Sequence, residues 1–211
     1  MEDEILHNAL SRKILPAVTF SSLDDVLPVA EAFRRGGLHV MEVTFRTHVA
    51  AEAIRIIRKN LPDLFVGAGT LLSVTQLKQA IDAGAQFGLA PGLNPSLCKS
   101  ATEMHFPFIP GVMTPSEIEL AAEMGFRILK LFPASQLGGV HFLKALQEPY
   151  QSLQIKFIPM GGITVGNMAE YLQLENVIAV GGSWLSNVEI LKTKQFDKIT
   201  EAVKEALSKT K

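Results

Sequence analysis

Short apolar runs alternate with longer amphipathic stretches along the whole chain. Eight runs have the length and composition of strands: ILPAVTF (14–20), HVMEVTF (39–45), LFVGAG (64–69), FGLAPG (87–92), FPFIPG (106–111), RILKLFP (127–133), KFIPMGG (156–162) and VIAVGG (177–182). Between them apolar residues recur every three or four positions, the period of a helix with one buried face. Helices are predicted over 23–35, 48–59, 73–83, 95–104, 115–124, 139–147 and 164–174, with a last one over 196–208. Ser73 is a suitable N-cap for the third of these and Gly84 a suitable stop.

Strand and helix in strict alternation, with strands that are apolar nearly throughout, predict a parallel sheet covered by helices. Eight such units in 211 residues fit an α/β protein of the compact (β/α)8 TIM-barrel type. A doubly wound open sheet would instead carry a glycine-rich turn after its first strand. The segment there is Thr19-Phe20-Ser21-Ser22, without glycine. Glycine pairs come late, at Gly161-Gly162 and Gly181-Gly182, after strands seven and eight. In such barrels a phosphate site is frequently built at that place. Neither a linker nor a low-complexity tract interrupts the pattern, so residues 1–211 are expected to form one domain.

Composition narrows the function classes. With 47% hydrophobic and 19% charged residues the chain can bury a sizeable core. A net charge of −1 and a pI near 6.5 argue against binding to nucleic acid or to a membrane surface. The single cysteine, Cys98, excludes an intrachain disulfide and a cysteine-based zinc site. His7, His39, His48, His105 and His141 are scattered without metal-ligand spacing, so no metal or other cofactor is expected. The opening stretch MEDEILHNALSRK lacks the basic and apolar regions of a signal peptide. No apolar run is long enough to span a membrane. A cytoplasmic protein is expected.

The run RILKLFP places Lys130 among Ile128, Leu129, Leu131 and Phe132. On an edge strand such a lysine would face water and discourage aggregation. A closed parallel barrel has no edge, and each strand there turns one face to the helices and the other to the interior. The period of two puts Ile128, Lys130 and Phe132 on one face of their strand. Val40, Glu42 and Thr44 likewise share a face of the second strand. If both faces point inward, an acid and a lysine meet inside an apolar cylinder.

A lysine shut into hydrocarbon loses its proton more readily, and the neutral amine attacks ketones and aldehydes. A neighbouring carboxyl group can move the protons that imine formation requires. Glu42 could equally be a surface residue or a simple ion-pair partner. Arg46, four residues on, either opens the next helix in solvent or clamps a substrate carboxylate with its planar fork. Thr70, in GAGT, could add a donor to the same carboxylate. The GGI and GGS turns offer backbone N–H groups that attract phosphate.

Several blocks, in order, resemble the 2-keto-3-deoxy-6-phosphogluconate (KDPG) and 4-hydroxy-2-oxoglutarate aldolases: VMEVTFRT, VGAGT, FGLAPGLNP, IPGVMTPSE, ILKLFPA, IPMGGI and GGSWL. The resemblance covers nearly the whole chain. It implies a metal-independent class I aldolase on a (β/α)8 barrel with a short N-terminal helix, assembled as a homotrimer. Its substrates would be pyruvate and a phosphorylated aldehyde, joined in the aldol KDPG. By the same resemblance, Lys130 is the Schiff-base lysine and Glu42 the proton-transfer residue. Arg46 and Thr70 hold the carboxylate, Pro91 and Phe132 line the pocket, and Gly161, Gly162, Gly182 and Ser183 form the phosphate end.

Two departures stand out. The family commonly reads PTGGI where this chain has Pro159-Met160-Gly161-Gly162-Ile163, and PAE where it has Pro133-Ala134-Ser135. The first removes a hydroxyl where such enzymes discriminate aldol stereochemistry. Cleavage of 4-hydroxy-2-oxoglutarate or of the galactonate epimer therefore stays open, as does an isomerase that uses Lys130 electrostatically.

Overall fold

The computed structural model describes residues 2–210. The strands, with the helices that follow them, begin with β1 (Ile14–Val18) and α2 (Val26–Gly36), preceded by α1 (Glu2–Ala9). Next come β2 (Val40–Thr44) with α3 (Ala50–Asn60), β3 (Phe65–Gly69) with α4 (Val74–Asp82), and β4 (Phe87–Leu89) with α5 (Pro95–Glu103). The second half comprises β5 (Phe108–Ile109), β6 (Gly111–Val112), α6 (Pro115–Glu123), β7 (Ile128–Leu131), α7 (Gly139–Tyr150), β8 (Lys156–Pro159) and α8 (Met168–Leu172). It ends with β9 (Val180–Gly182), α9 (Val188–Thr193) and α10 (Phe196–Ser208).

Each laddered pair is parallel. The strands fall into a six-stranded sheet, in the order β5-β4-β3-β2-β1-β9, and a three-stranded sheet, β6-β7-β8. The run 106–111, expected as one strand, is divided at Pro110. Proline has no N–H to give to a ladder. β5 therefore bonds to β4, and β6 to β7. The Pro110 carbonyl still accepts from the Lys130 amide at 2.9 Å. At the other junction, isolated bridges join Phe157 to Val177 and Met160 to Gly181. There the Phe157 N–H donates to the Asn176 carbonyl at 2.7 Å, and the Ile178 N–H to the Phe157 carbonyl at 3.0 Å.

The period of two sorts the strand residues onto two faces. Met41, Val43, Val66, Leu129 and Leu131 are buried together with the helix residues Phe33, Ile54, Leu77 and Leu143. The opposite face supplies a second cluster containing Leu15, Val40, Phe87, Leu89, Ile109, Ile128 and Ile158. Strands of both sheets contribute to it. Leu6 from α1 and Leu10 just beyond it join the same cluster, so this helix covers it from the end where β1 begins.

Helix starts follow their caps. The Ser73 hydroxyl accepts from the Gln76 N–H, and Thr114 and Glu117 form a reciprocal capping box at α6. The stretch 164–174 is helical only over α8. Asn167 accepts from the Thr164 N–H at 2.8 Å and donates to the Gly162 carbonyl at 3.0 Å. Such side-chain bonds to the backbone compete with a helical start. The six-residue α9, with Asn187 as N-cap, is too short to show a helical period and was not among the predicted elements.

Replacing Leu10 with alanine removes a side chain that is 2% exposed beneath the inner cluster. It is expected to lower the unfolding free energy by about 3 kcal/mol in urea titrations. A loss below about 1 kcal/mol would show that α1 is not part of the inner core.

Candidate active site

The C-terminal ends of the strands surround a cleft of about 370 Å³. Ala17 and Thr19 face it from β1, and Glu42, Thr44 and Arg46 from β2 and the residues after it. Lys130 and Phe132 enter from β7, the Met160–Ile163 turn from β8, and Gly182, Ser183 and Trp184 from β9. The structure therefore gathers Lys130, Glu42, Arg46, Phe132, Gly161, Gly162, Gly182 and Ser183, eight of the ten sequence-predicted residues, around one space. Thr70 and Pro91 are not among the side chains that line it. Thr70 stands just past β3 with φ of +57°, and the backbone of Pro91 lies against Gly111. A separate hollow of about 360 Å³ opens at the opposite end of β8. Its Lys156 ammonium is already committed to the Glu175 carbonyl at 2.8 Å.

Lys130 Nζ lies 3.8 Å from Glu42 Oε1. Glu42 is 1% exposed and Lys130 5%. The ammonium also sits 5.4 Å from the centroid of the Phe132 ring, whose face attracts a cation. Glu42 Oε2 is buried with no hydrogen-bond partner among the described residues. Burying two charges costs more than a contact of this length returns unless further hydrogen bonds satisfy them. An unsatisfied buried carboxylate oxygen is an unusual feature that calls for a ligand or a chemical role. An amine and a carboxylate held this way can form and break a carbon–nitrogen bond with proton transfer close by.

Neighbouring strands make room for this pair. A side chain at Gly69 would collide with the Glu42 carboxylate, and one at Gly67 with the Phe87 ring. At Gly69, β3 thus gives up a side chain so that Glu42 can cross in front of it. Arg46 makes no ion pair or side-chain hydrogen bond among the described residues, which leaves its guanidinium free for an anion. Gly161 and Gly162 have φ of +89° and +81°, a region where only glycine is unstrained. Their N–H groups bond to no other group among the described residues. The turn is braced from β7, where the Ala134 N–H donates to the Met160 carbonyl at 2.7 Å and the Ser135 N–H to the Gly161 carbonyl at 3.0 Å. Ser135 also fills the space a side chain at Gly162 would need, and Met160, 3% exposed, packs on Gly181.

Among the described residues no group of three or more His, Cys, Asp or Glu could hold a metal ion. None of the described helices is long and apolar enough to cross a membrane. Cys98 is fully buried in α5, and burial pushes its thiol up to about 11. A thiol so protonated is no nucleophile at neutral pH.

A family model for KDPG and KHG aldolase matches residues 3–202. The chain belongs to this family. It is 41% identical over 204 residues to the 2-dehydro-3-deoxy-phosphogluconate aldolase of Haemophilus influenzae, covering 97% of this chain and 95% of that one. It is 42% identical over 198 residues to the KHG/KDPG aldolase of Escherichia coli, covering 94% and 92%. Among solved structures it resembles the KDPG aldolase of Legionella pneumophila, captured with pyruvate as a covalent carbinolamine intermediate. That match has a TM-score of 0.90 and 38% identity, covering 94% of this chain and 96% of that one.

The family's chemistry gives the Gly69 position its meaning in this KDPG/KHG aldolase chain. Gly69→Ala is expected to push the Glu42 carboxylate aside and cut aldol cleavage at least tenfold, at a stability cost of about 1–3 kcal/mol. Steady-state kinetics beside thermal unfolding checks it. An unchanged kcat would mean that Glu42 need not occupy the position seen here.

Proposed function

We propose that this protein is a class I aldolase that cleaves KDPG into pyruvate and D-glyceraldehyde 3-phosphate. The observation that carries the reading is the buried Lys130–Glu42 pair, 3.8 Å apart, inside an apolar strand interior. Family membership supports it.

In the reaction, the Lys130 amine adds to the C2 ketone to give a carbinolamine. Loss of water then gives the imine. The protonated imine draws electrons from the C3–C4 bond while the C4 hydroxyl gives up its proton, and the aldehyde departs. The remaining enamine takes a proton at C3, and hydrolysis frees pyruvate and the lysine. Glu42 is the acid and base for these transfers, since its carboxylate is the titratable group beside the amine. Arg46, with Thr70 at the neighbouring strand end, holds the carboxylate. The free N–H groups at Gly161 and Gly162, with Gly182 and Ser183 opposite, hold the phosphate. Phe132 shapes the apolar wall, while Pro91, outside the lining, packs its backbone against Gly111.

We also propose that the two sheets close into one (β/α)8 barrel in a single domain over residues 1–211. The two sheets share the inner cluster. The bridges between the β8 and β9 segments and the single residue, Pro110, between β5 and β6 support closure at the two junctions. Assembly as a homotrimer follows the family. A cytoplasmic location is inferred from the phosphorylated substrates, which do not cross membranes.

A second substrate, 4-hydroxy-2-oxoglutarate, is compatible with Met160. Its thioether gives the cleft an apolar contact in place of a hydroxyl, and the Escherichia coli relative carries both substrates in its name.

Lys130→Ala is expected to lower kcat/KM for KDPG by at least about 10⁴. Lys130→Arg gives no rescue, because a guanidinium keeps its proton. Retained turnover in either variant, measured by coupled assay of pyruvate release, would remove Lys130 from the mechanism.

A further inference from the structure

Thr19 and Thr44 have no part in the reaction as derived so far, yet both face the cleft. Thr19 stands just past β1 and Thr44 ends β2. Their hydroxyl oxygens are 2.7 Å apart, and Thr44 is 3% exposed. The pairing of Ala17 with Glu42 and of Val18 with Val43 sets this register and brings the two threonines side by side. Neither hydroxyl has another partner among the described residues. Two hydroxyls that share one bond keep one donor and three lone pairs. That remainder suits an alcohol, which both gives and takes one hydrogen bond. It does not suit a carboxylate or phosphate, which requires several donors.

Position points the same way. In the sheet, β1 lies between β9 and β2, and β2 neighbours β3. The proposed phosphate end is at β8 and β9, and the proposed carboxylate end is at Arg46 and Thr70, beyond β2 and β3. A chain-like substrate stretched between the two anion sites must cross the ends of β1 and β2. Its central carbons then lie over the threonine pair.

We propose that the Thr19–Thr44 pair is the subsite for the hydroxyl of the aldol portion, and that it reads the configuration of that carbon. The assignment rests on the aldolase reading given above. Met160 brings no hydroxyl to the cleft, and with Ser183 at the proposed phosphate end, this pair is the neutral hydroxyl-bearing feature on the wall next to Glu42. A plain pin between β1 and β2 is the competing role.

The double variant Thr19→Val/Thr44→Val separates the two roles. Replacing both partners by apolar groups of the same shape leaves no orphaned hydroxyl and is close to neutral for folding. Three quantities are read on the parent, the valine double variant and Thr19→Ser/Thr44→Ser. They are exchange of the pyruvate methyl protons with deuterium by NMR, kcat/KM for KDPG, and the ratio of kcat/KM between KDPG and its C4 epimer. Exchange needs only imine formation and proton transfer at C3, and it never meets the aldol hydroxyl. In the valine variant exchange should stay within about twofold of the parent, while KDPG cleavage falls at least about tenfold and the epimer ratio collapses toward one. The serine variant should keep both. Unchanged cleavage, an unchanged epimer ratio, or exchange falling in step with cleavage would overturn the assignment. If the parent shows no exchange that depends on Lys130, the aldolase reading itself fails, and the hydroxyl subsite fails with it.

Discussion

The architecture is organised around one electrostatic problem: an ammonium and a carboxylate 3.8 Å apart, both nearly removed from water. Hydrocarbon surroundings make such a pair costly, and one carboxylate oxygen is left without a partner. Functional sites commonly hold features that weaken the fold, and the rest of the structure must then supply the stability. Here two large apolar clusters lie on either face of the strands and bury Phe20, Phe33, Phe87 and Phe157 almost completely. Gly69 lets the acid reach across β3 without steric conflict, and Gly67 does the same for the Phe87 ring. The Lys130–Glu42 pair itself lies within β7 and β2 rather than on loops, so its geometry inherits their rigidity.

Parallel strands bring all their C-terminal ends to one side, and side chains from β1, β2, β7, β8 and β9 meet there. Along β2-β1-β9 the cleft carries Arg46 and then the hydroxyl pair of Thr19 and Thr44, and the turn of free amides at Gly161 and Gly162 comes in from β8 of the other sheet. Under the proposed reading, that arrangement follows the layout of a phosphorylated keto acid from carboxylate to phosphate. Pro110 marks the place where hydrogen bonding passes from one sheet to the other, and its carbonyl accepts from the amide of Lys130. The seam between the sheets is thereby tied to the position of Lys130.

Much of this was legible before any coordinates. Strand alternation depends on a period of two that survives in short apolar runs, so the inward direction of Lys130 and Glu42 could be read directly. The β9 run was expected from 177 but begins at 180, because Val177 makes only an isolated bridge to Phe157. α8 was overextended because the Asn167 turn leaves the apolar spacing of a helix intact. Thr19 falls within the predicted first strand run, 14–20, and continues the alternation of Leu15 and Ala17, yet nothing in the sequence singles it out as a site residue. Gly69 gave no local signal, since the reason for a glycine there is the side chain of another strand. Thr70 and Pro91 show the opposite limit: family likeness carries a role along the sequence, whereas lining the cleft depends on how each strand end turns. Ser135 was noted only as a missing acid, and its packing against Gly162 emerges from the turn geometry alone.

The central claim is that Lys130 forms a covalent imine with pyruvate inside this cleft. Borohydride reduction in the presence of pyruvate, followed by peptide mass spectrometry, tests it most directly. The account predicts a single stable adduct on the peptide that contains Lys130, formed only when pyruvate and reductant are both present and absent from the Lys130→Ala variant. An unmodified Lys130 peptide from active protein, or an adduct on another lysine, would contradict it.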